Sequence, residues 1–224
     1  FDDGSESPAP GGAEDYPVTI RELKPSQRVA GRWLAVLDDG SILRIGGDEV
    51  VAFSLYTGKE LREEEALALQ AAAQNNALKG KALDLLSRKP QSRRELERKL
   101  GEWGAEEETS AALCDRLEEL GYLDDGRYAE QVVRHYAAKG YGTRKLRDEL
   151  YRRGVPRDLW DEALAQAEDP AEQLDAFVAK KLAGTAVDRR DLQRVSAALA
   201  RRGYGWSEIN DALRRYDDRL ILED

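Results

Sequence analysis

A glycine closes each of three similar stretches of this chain: "SRRELERKLGEWG" (92–104), "GTRKLRDELYRRG" (142–154) and "DLQRVSAALARRG" (191–203). In every copy an apolar residue is followed four positions later by a leucine, and four later again by the glycine. The sets are Leu96/Leu100/Gly104, Leu146/Leu150/Gly154 and Val195/Leu199/Gly203. Residues four apart share one face of a helix, and glycine takes the left-handed backbone that ends a helix at no steric cost. Successive glycines stand 50 and 49 residues apart, a period typical of helical repeat proteins. This periodicity restricts most of the chain to an array of helical modules.

Each copy has an amphipathic helix before the skeleton and another after it. The preceding helices carry Leu83/Leu86, Tyr128/Val132/Tyr136 and Leu174/Phe177/Val178. The following ones carry Leu113/Leu117/Leu120, Leu159/Trp160/Leu164 and Ile209/Leu213/Tyr216. Pro156 and Ser207 are suited to starting the last helix of the second and third copies. The first copy aligns least well after Gly104, consistent with a one-residue insertion.

Upstream the pattern is different. "RWLAVLDDGSILRI" places two apolar runs around Asp38-Asp39-Gly40-Ser41, and an Asp-Gly step favours a tight β-hairpin. "YPVTIREL" and "EVVAF" are candidates for flanking strands, and so small a sheet must lean on a helix. From Thr57 the period becomes helical, and "REEEALALQAAAQ" opens with acids that suit the positive end of a helix dipole. The expected fold is mostly α: three tandem three-helix repeats forming an elongated array, preceded by a small β-hairpin or sheet unit. The expected divisions are a disordered acidic tail (1–16), a β-rich unit (17–56), a connecting helix (57–80), repeats at 81–124, 125–168 and 169–216, and an acidic C-terminal tail (217–224).

Composition limits the function classes. One cysteine, Cys114, allows no intrachain disulfide and fits a reducing, cytoplasmic setting. No apolar run approaches the ~20 residues needed to span a bilayer. The sequence opens on Phe1 rather than Met, so residues preceding it are expected. The net charge of −9 is uneven. Asp2, Asp3, Glu6, Glu14 and Asp15 stand at one end with no base, and Asp217, Asp218, Glu223 and Asp224 at the other with Arg219. Between residues 134 and 157 eight cations face two acids, giving a local basic stripe on a near-neutral body.

No constellation in the chain supports catalysis. In "GYLDDGRYAEQ" (121–131), Asp124 and Asp125 would need burial or a polar partner to split their pKa values for acid–base work. In a glycine-containing turn, one of them is expected instead to cap the helix that starts there. His135 is the only histidine, and with Cys114 it cannot complete a four-ligand zinc set, so no metal or cofactor is expected. Cys114 lies among Ala and Leu and reads as a small core residue. "TGKE" (57–60) resembles the end of a phosphate loop, but Phe53 stands where that loop needs glycine.

With its order of segments, and above all "LGYLDDGRYAEQVVRHYAAKGYGTRKLRDEL" (120–150), the chain resembles the RecX family of bacterial recombination regulators. The resemblance runs over about residues 18–216. The residues that match the family's helix-boundary motif are Leu123, Asp124, Asp125, Arg127, Tyr128, Ala129, Gly140 and Gly142. It implies a non-enzymatic monomer that binds the RecA–DNA filament along its groove and inhibits filament growth, ATP hydrolysis and strand exchange. Single-stranded DNA within the filament, and weakly naked DNA, are further contacts this reading admits. Contact would run through the basic stripe: Lys139, Tyr141, Arg144, Lys145, Arg147, Arg152 and Arg153, with Tyr141 offering a stacking face beside a flexible "KGYG" step. The competing reading of the stripe is a solvated helix face. Gln193 stands in the third repeat where the second has Arg144, which argues against equal roles for the repeats. The alternative function is a helix-turn-helix repressor, which a near-neutral body disfavours because each phosphate contact needs a cation.

Overall fold

A computed structural model of the chain describes residues 17–183 and 188–223. The acidic stretch 1–16 lies outside the described residues. The chain divides into two compact units, Phe1–Leu83 and Asp84–Asp224.

The first unit holds strands β1 (Val18–Pro25), β2 (Arg32–Leu37), β3 (Ile42–Gly46) and β4 (Glu60–Leu61), antiparallel in the order β3-β2-β1-β4. The Asp-Gly hairpin forms as expected. Gly40 takes φ 84°, and the Asp39 carboxylate accepts from the Ser41 N–H at 2.8 Å; hydrogen bonding to the Ser41 side chain first, and to its backbone second, holds the Asp39 pKa below the usual aspartate value. Ile20, Ala35, Leu37 and Ile45 bury one sheet face with Leu69 and Ala73 of α2 (Glu63–Arg88). "EVVAF" is not a strand: Gly47–Ala52 forms a short helix, α1. Asp48 and Glu49 sit in its first turn, and the Glu49 carboxylate accepts from the Gly46 N–H at 2.7 Å. That acidic first turn satisfies free amides and favours helix over extended chain.

The expected break between a connecting helix and the first repeat does not occur at residue 80. Helix α2 runs unbroken through Gly80 to Arg88, because one glycine costs a helix interior only ~1 kcal/mol.

The second unit contains α3 (Arg93–Glu102), α4 (Glu107–Glu119), α5 (Asp125–Ala138), α6 (Thr143–Arg152), α7 (Trp160–Ala165), α8 (Ala171–Leu182), α9 (Arg189–Arg201) and α10 (Trp206–Glu223). Helices α5–α7 close round Tyr128, Val132, Val133, Leu146, Leu150 and Trp160. Helices α8–α10 close round Leu174, Val178, Val195, Leu199 and Ile209. In α3 and α4, Leu96, Leu100, Cys114 and Leu117 are fully buried. These three groups are repeats 2, 3 and 1, respectively. The mostly α fold of tandem repeats behind a small sheet is thus as the periodicity implied. One difference lies at the end: α10 continues to Glu223, so Asp217 belongs to the last helix rather than to an appended tail.

Gly104, Gly154 and Gly203 all have positive φ (90°, 70° and 92°). At Gly203 a second requirement adds to the first. A Cβ there would stand 2.5 Å from the Lys145 nitrogen, and one at Gly142 would stand 2.6 Å from the Gly203 carbonyl. Two backbones therefore touch where repeat 3 meets repeat 2. The Gly142 N–H donates to the Arg202 carbonyl (2.9 Å) and the Arg144 N–H to the Gly203 carbonyl (3.1 Å). The free amides that open α6 are thereby satisfied by the free carbonyls that end α9, positive helix end against negative. The same plan recurs one repeat earlier, where the Ser92 hydroxyl at the start of α3 donates to the Arg153 carbonyl at the end of α6.

Candidate partner-binding surface

The paired carboxylates divide their work. Asp124 caps α5, accepting from the Arg127 N–H at 2.9 Å. Asp125 turns the other way and accepts from the Arg93 N–H, at 2.8 Å, at the start of α3. Burial raises the Asp125 carboxyl above the usual aspartate pKa, while the Arg93 amide opposes the shift. Both groups are engaged with backbone amides of helix starts, so the motif is a joint between repeats 1 and 2. Leu123, Tyr128 and Ala129 are buried beneath it, and Arg127 is exposed, its Nε 4.0 Å from Asp124. Gly140 ends α5 with φ 77°.

Arg93 strengthens this junction. Its guanidinium meets Asp115 (2.7 Å), Glu118 (2.8 Å) and Glu97 (2.8 Å). The hydrogen bond to Asp115, above all, holds it protonated beyond the ordinary arginine range. Cys114 lies buried close by, and desolvation pushes its thiol up to about 12.

The basic stripe separates into two populations. Arg153 points inward. Its Nη1 donates to the Tyr128 hydroxyl (2.8 Å) and its Nη2 to the Tyr136 hydroxyl (3.2 Å). Tyr128 in turn donates to Glu95 of α3 (2.8 Å), so a Glu95–Tyr128–Arg153 triad spans the first joint. Burial, with the hydrogen bond to Glu95, pushes the Tyr128 phenol up to about 12. Arg153 is therefore withdrawn from the expected contact surface. Tyr141 is also no open stacking face: it is half-buried, packs on the repeat 2 core and tilts against Tyr136. Lys145 is half-buried and lies 3.4 Å from Glu149, a carboxylate only 4 % exposed.

The outward population is Lys139, Arg144, Arg147 and Arg152. Lys139 lies 5.5 Å over the Tyr136 ring at the end of α5. Arg147 pairs with exposed Asp161 (3.2 Å) and Arg152 with Glu149 (3.0 Å). Arg144 and Arg147 share one face of α6 with Tyr151, which is 65 % exposed; Asp148 stands there too. Sequence reasoning passed over Tyr151, although its i+4 spacing from Arg147 and i+7 from Arg144 could have found it. The surface offers charge-assisted hydrogen bonds and one aromatic face, and contains no group poised for proton transfer. No helix among the described residues is long and apolar enough to cross a membrane.

Comparison with known proteins adds identity to this geometry. Family models match residues 79–117 as "RecX, first three-helix domain" and residues 124–164 as "RecX, second three-helix domain". The Regulatory protein RecX of Ectopseudomonas mendocina (strain ymp) is 39% identical over 144 residues, covering 63% of this chain and 96% of the relative. That of Halorhodospira halophila is 35% identical over 151 residues, covering 66% and 94%. A solved structure described as the crystal structure of regulatory protein RecX superposes with a TM-score of 0.70 at 26% identity, covering 87% of this chain and 99% of that one. RecX from Lactobacillus salivarius shares the fold, with a TM-score of 0.62 at 21% identity over 65% of this chain and 98% of that one.

Proposed function

The chain belongs to the RecX family of regulatory proteins, and from that premise we propose that it is a negative regulator that binds the RecA–DNA filament. It lies in the filament groove as a monomer and restrains filament growth, ATP hydrolysis and strand exchange without chemistry of its own. The observation that supports this reading is the outward face of α6, where Arg144, Arg147 and Tyr151 stand together in repeat 2. Arg152 and Lys139 extend it. Four cations and a phenol suit acidic protein surface or the phosphates and bases of filament-bound DNA. Binding across several subunits would hold them in one arrangement, and inhibition would then follow from occupancy alone.

The test is RecA-catalysed, DNA-dependent ATP hydrolysis on circular single strands with increasing amounts of this protein. Substoichiometric inhibition is expected, and no effect at equimolar protein overturns the proposal. Arg144→Glu/Arg147→Glu/Tyr151→Ala should abolish inhibition while the helical circular dichroism stays unchanged. Undiminished inhibition by that variant would place the contact elsewhere. Gel shifts on naked duplex separate the repressor alternative, which requires tight, sequence-selective binding in the absence of RecA.

A further inference from the structure

The two joints between helical repeats share a plan but not a set of ties. At the first joint, side chains bind repeat 1 to repeat 2 in four ways. Ser92 donates to the Arg153 carbonyl, and Asp125 accepts from the Arg93 N–H at 2.8 Å. Tyr128 donates to Glu95 at 2.8 Å, and the Arg153 guanidinium lies 3.8 Å from Glu95. Moving forward by one repeat, nearly every partner is lost. Gly142 stands in place of Ser92, and Lys145 in place of Glu95. The aromatic side chain that Arg202 meets is Phe177, whereas Arg153 meets Tyr128; Arg153 itself keeps its type, as Arg202.

The consequences are visible in the geometry. Arg202 lies 4.6 Å over the Phe177 ring, with no hydroxyl to donate to. Where Glu95 drew Arg153 in, Lys145 carries the same sign as Arg202. Among the described residues, a pair of backbone hydrogen bonds at Gly142 and Gly203 joins repeats 2 and 3, with a long contact of 3.4 Å from Arg202 to the Gly140 carbonyl. Among the described residues no ion pair crosses this joint. Beside it lies a cleft of about 570 Å³, walled by Tyr141, Leu146 and Thr143 of repeat 2 and by Gln173, Tyr204 and Glu208 of repeat 3. A joint held by two adjacent backbone bonds, Gly142 to Arg202 and Arg144 to Gly203, with free space on one side, can rotate. A joint pinned by side chains at four places cannot rotate without breaking them.

We infer that the second unit flexes at one place: repeats 1 and 2 move as a single body, and repeat 3 turns about the Gly142–Gly203 contact. This does not depend on what the protein binds.

Spin-label distances test the inference on the full chain. Labels at Arg98→Cys/Asp148→Cys span the first joint, and labels at Asp148→Cys/Ala197→Cys span the second. The three sites are exposed and occupy equivalent helix positions, with Cys114→Ala in the background. The distance distribution across the second joint should be at least about twofold wider than across the first. Equal widths would overturn the inference. Grafting the missing lock, by Lys145→Gln/Phe177→Tyr, should narrow the second distribution toward the first; a graft that folds yet leaves the width unchanged also counts against it. Amide exchange gives a label-free check. The Arg144 amide should show at least about tenfold less protection than that of Arg93, and equal protection would refute a pivot at this point.

Discussion

Arg152 and Arg153 are adjacent, identical in type, and opposite in consequence. Arg153→Ala removes two hydrogen bonds from a guanidinium to phenol oxygens, each bond to a charged donor contributing about 1.5 kcal/mol. It also takes a cation away from Glu95 (3.8 Å) and Glu149 (3.8 Å) in a partly buried setting. One effect opposes these losses. The Arg153 Nε is buried with no acceptor within hydrogen-bond distance, so its desolvation cost is relieved on truncation. The balance is a loss of about 3 kcal/mol, equivalent to a fall of about 10 °C in Tm for a unit of this size. Arg152 is 63% exposed at its side chain, and its single pair with Glu149 is worth below about 1 kcal/mol. Urea and thermal unfolding followed by circular dichroism at 222 nm would measure both. The functional readout should run the other way, with Arg152→Ala weakening RecA inhibition at unchanged stability. Equal stability losses for the two variants would refute the assignment of Arg153 to the joint. A double-mutant cycle with Tyr128→Phe should show coupling of about 1 kcal/mol or more, since the pair shares a hydrogen bond.

Asp125→Asn keeps an acceptor for the Arg93 amide and should stay within about 0.5 kcal/mol of the parent, whereas Asp125→Ala strands that amide and should cost about 1–2 kcal/mol. The Asp125 pKa is raised above 3.8, so its stabilising protonated form is populated at low pH and lost as pH rises through the folded value. Asp125→Asn should therefore gain on the parent between acid and neutral pH in unfolding titrations, and a constant difference would contradict the shift. The Tyr128 phenol is raised to about 12, so its contribution is intact below the unfolded value near 10 and lost as pH climbs through 12. Absorbance titration at 295 nm should show a late-ionising tyrosine that Tyr128→Phe removes. With its thiol raised from 9.0 to about 12 and fully buried, Cys114 should react with a thiol reagent roughly a thousandfold more slowly in native protein than in denaturant. Comparable rates would mean that α4 opens readily.

What could be read from the sequence was local. The Leu-x3-Leu-x3-Gly skeleton works within one helix, where four-residue spacing and a left-handed glycine act over a few ångströms. The Asp-Gly hairpin and the Asp124 cap are legible for the same reason. "EVVAF" is helical because the adjacent acids Asp48 and Glu49, with Glu49 accepting from the Gly46 N–H three residues before it, outweigh β-branched propensity.

The candidate surface was legible only in part. A cluster of basic residues on and around one helix can be counted from sequence, but which of them face outward depends on elements 25 to 60 residues away. Arg153 turns in because Tyr128 and Glu95 wait there, whereas Tyr151, two residues earlier, lies on the exposed face of the same helix. The joints were decided at the same range. Gly203 was expected to end a helix and Gly142 to belong to a flexible step, yet each position is also filled by the other's backbone, and only folding brings the two together. Local spacing thus determined that there would be repeats. Tertiary contact decided how firmly each is tied to the next, because a hydrogen bond between repeats needs two partners, and sequence period specifies only where each one stands.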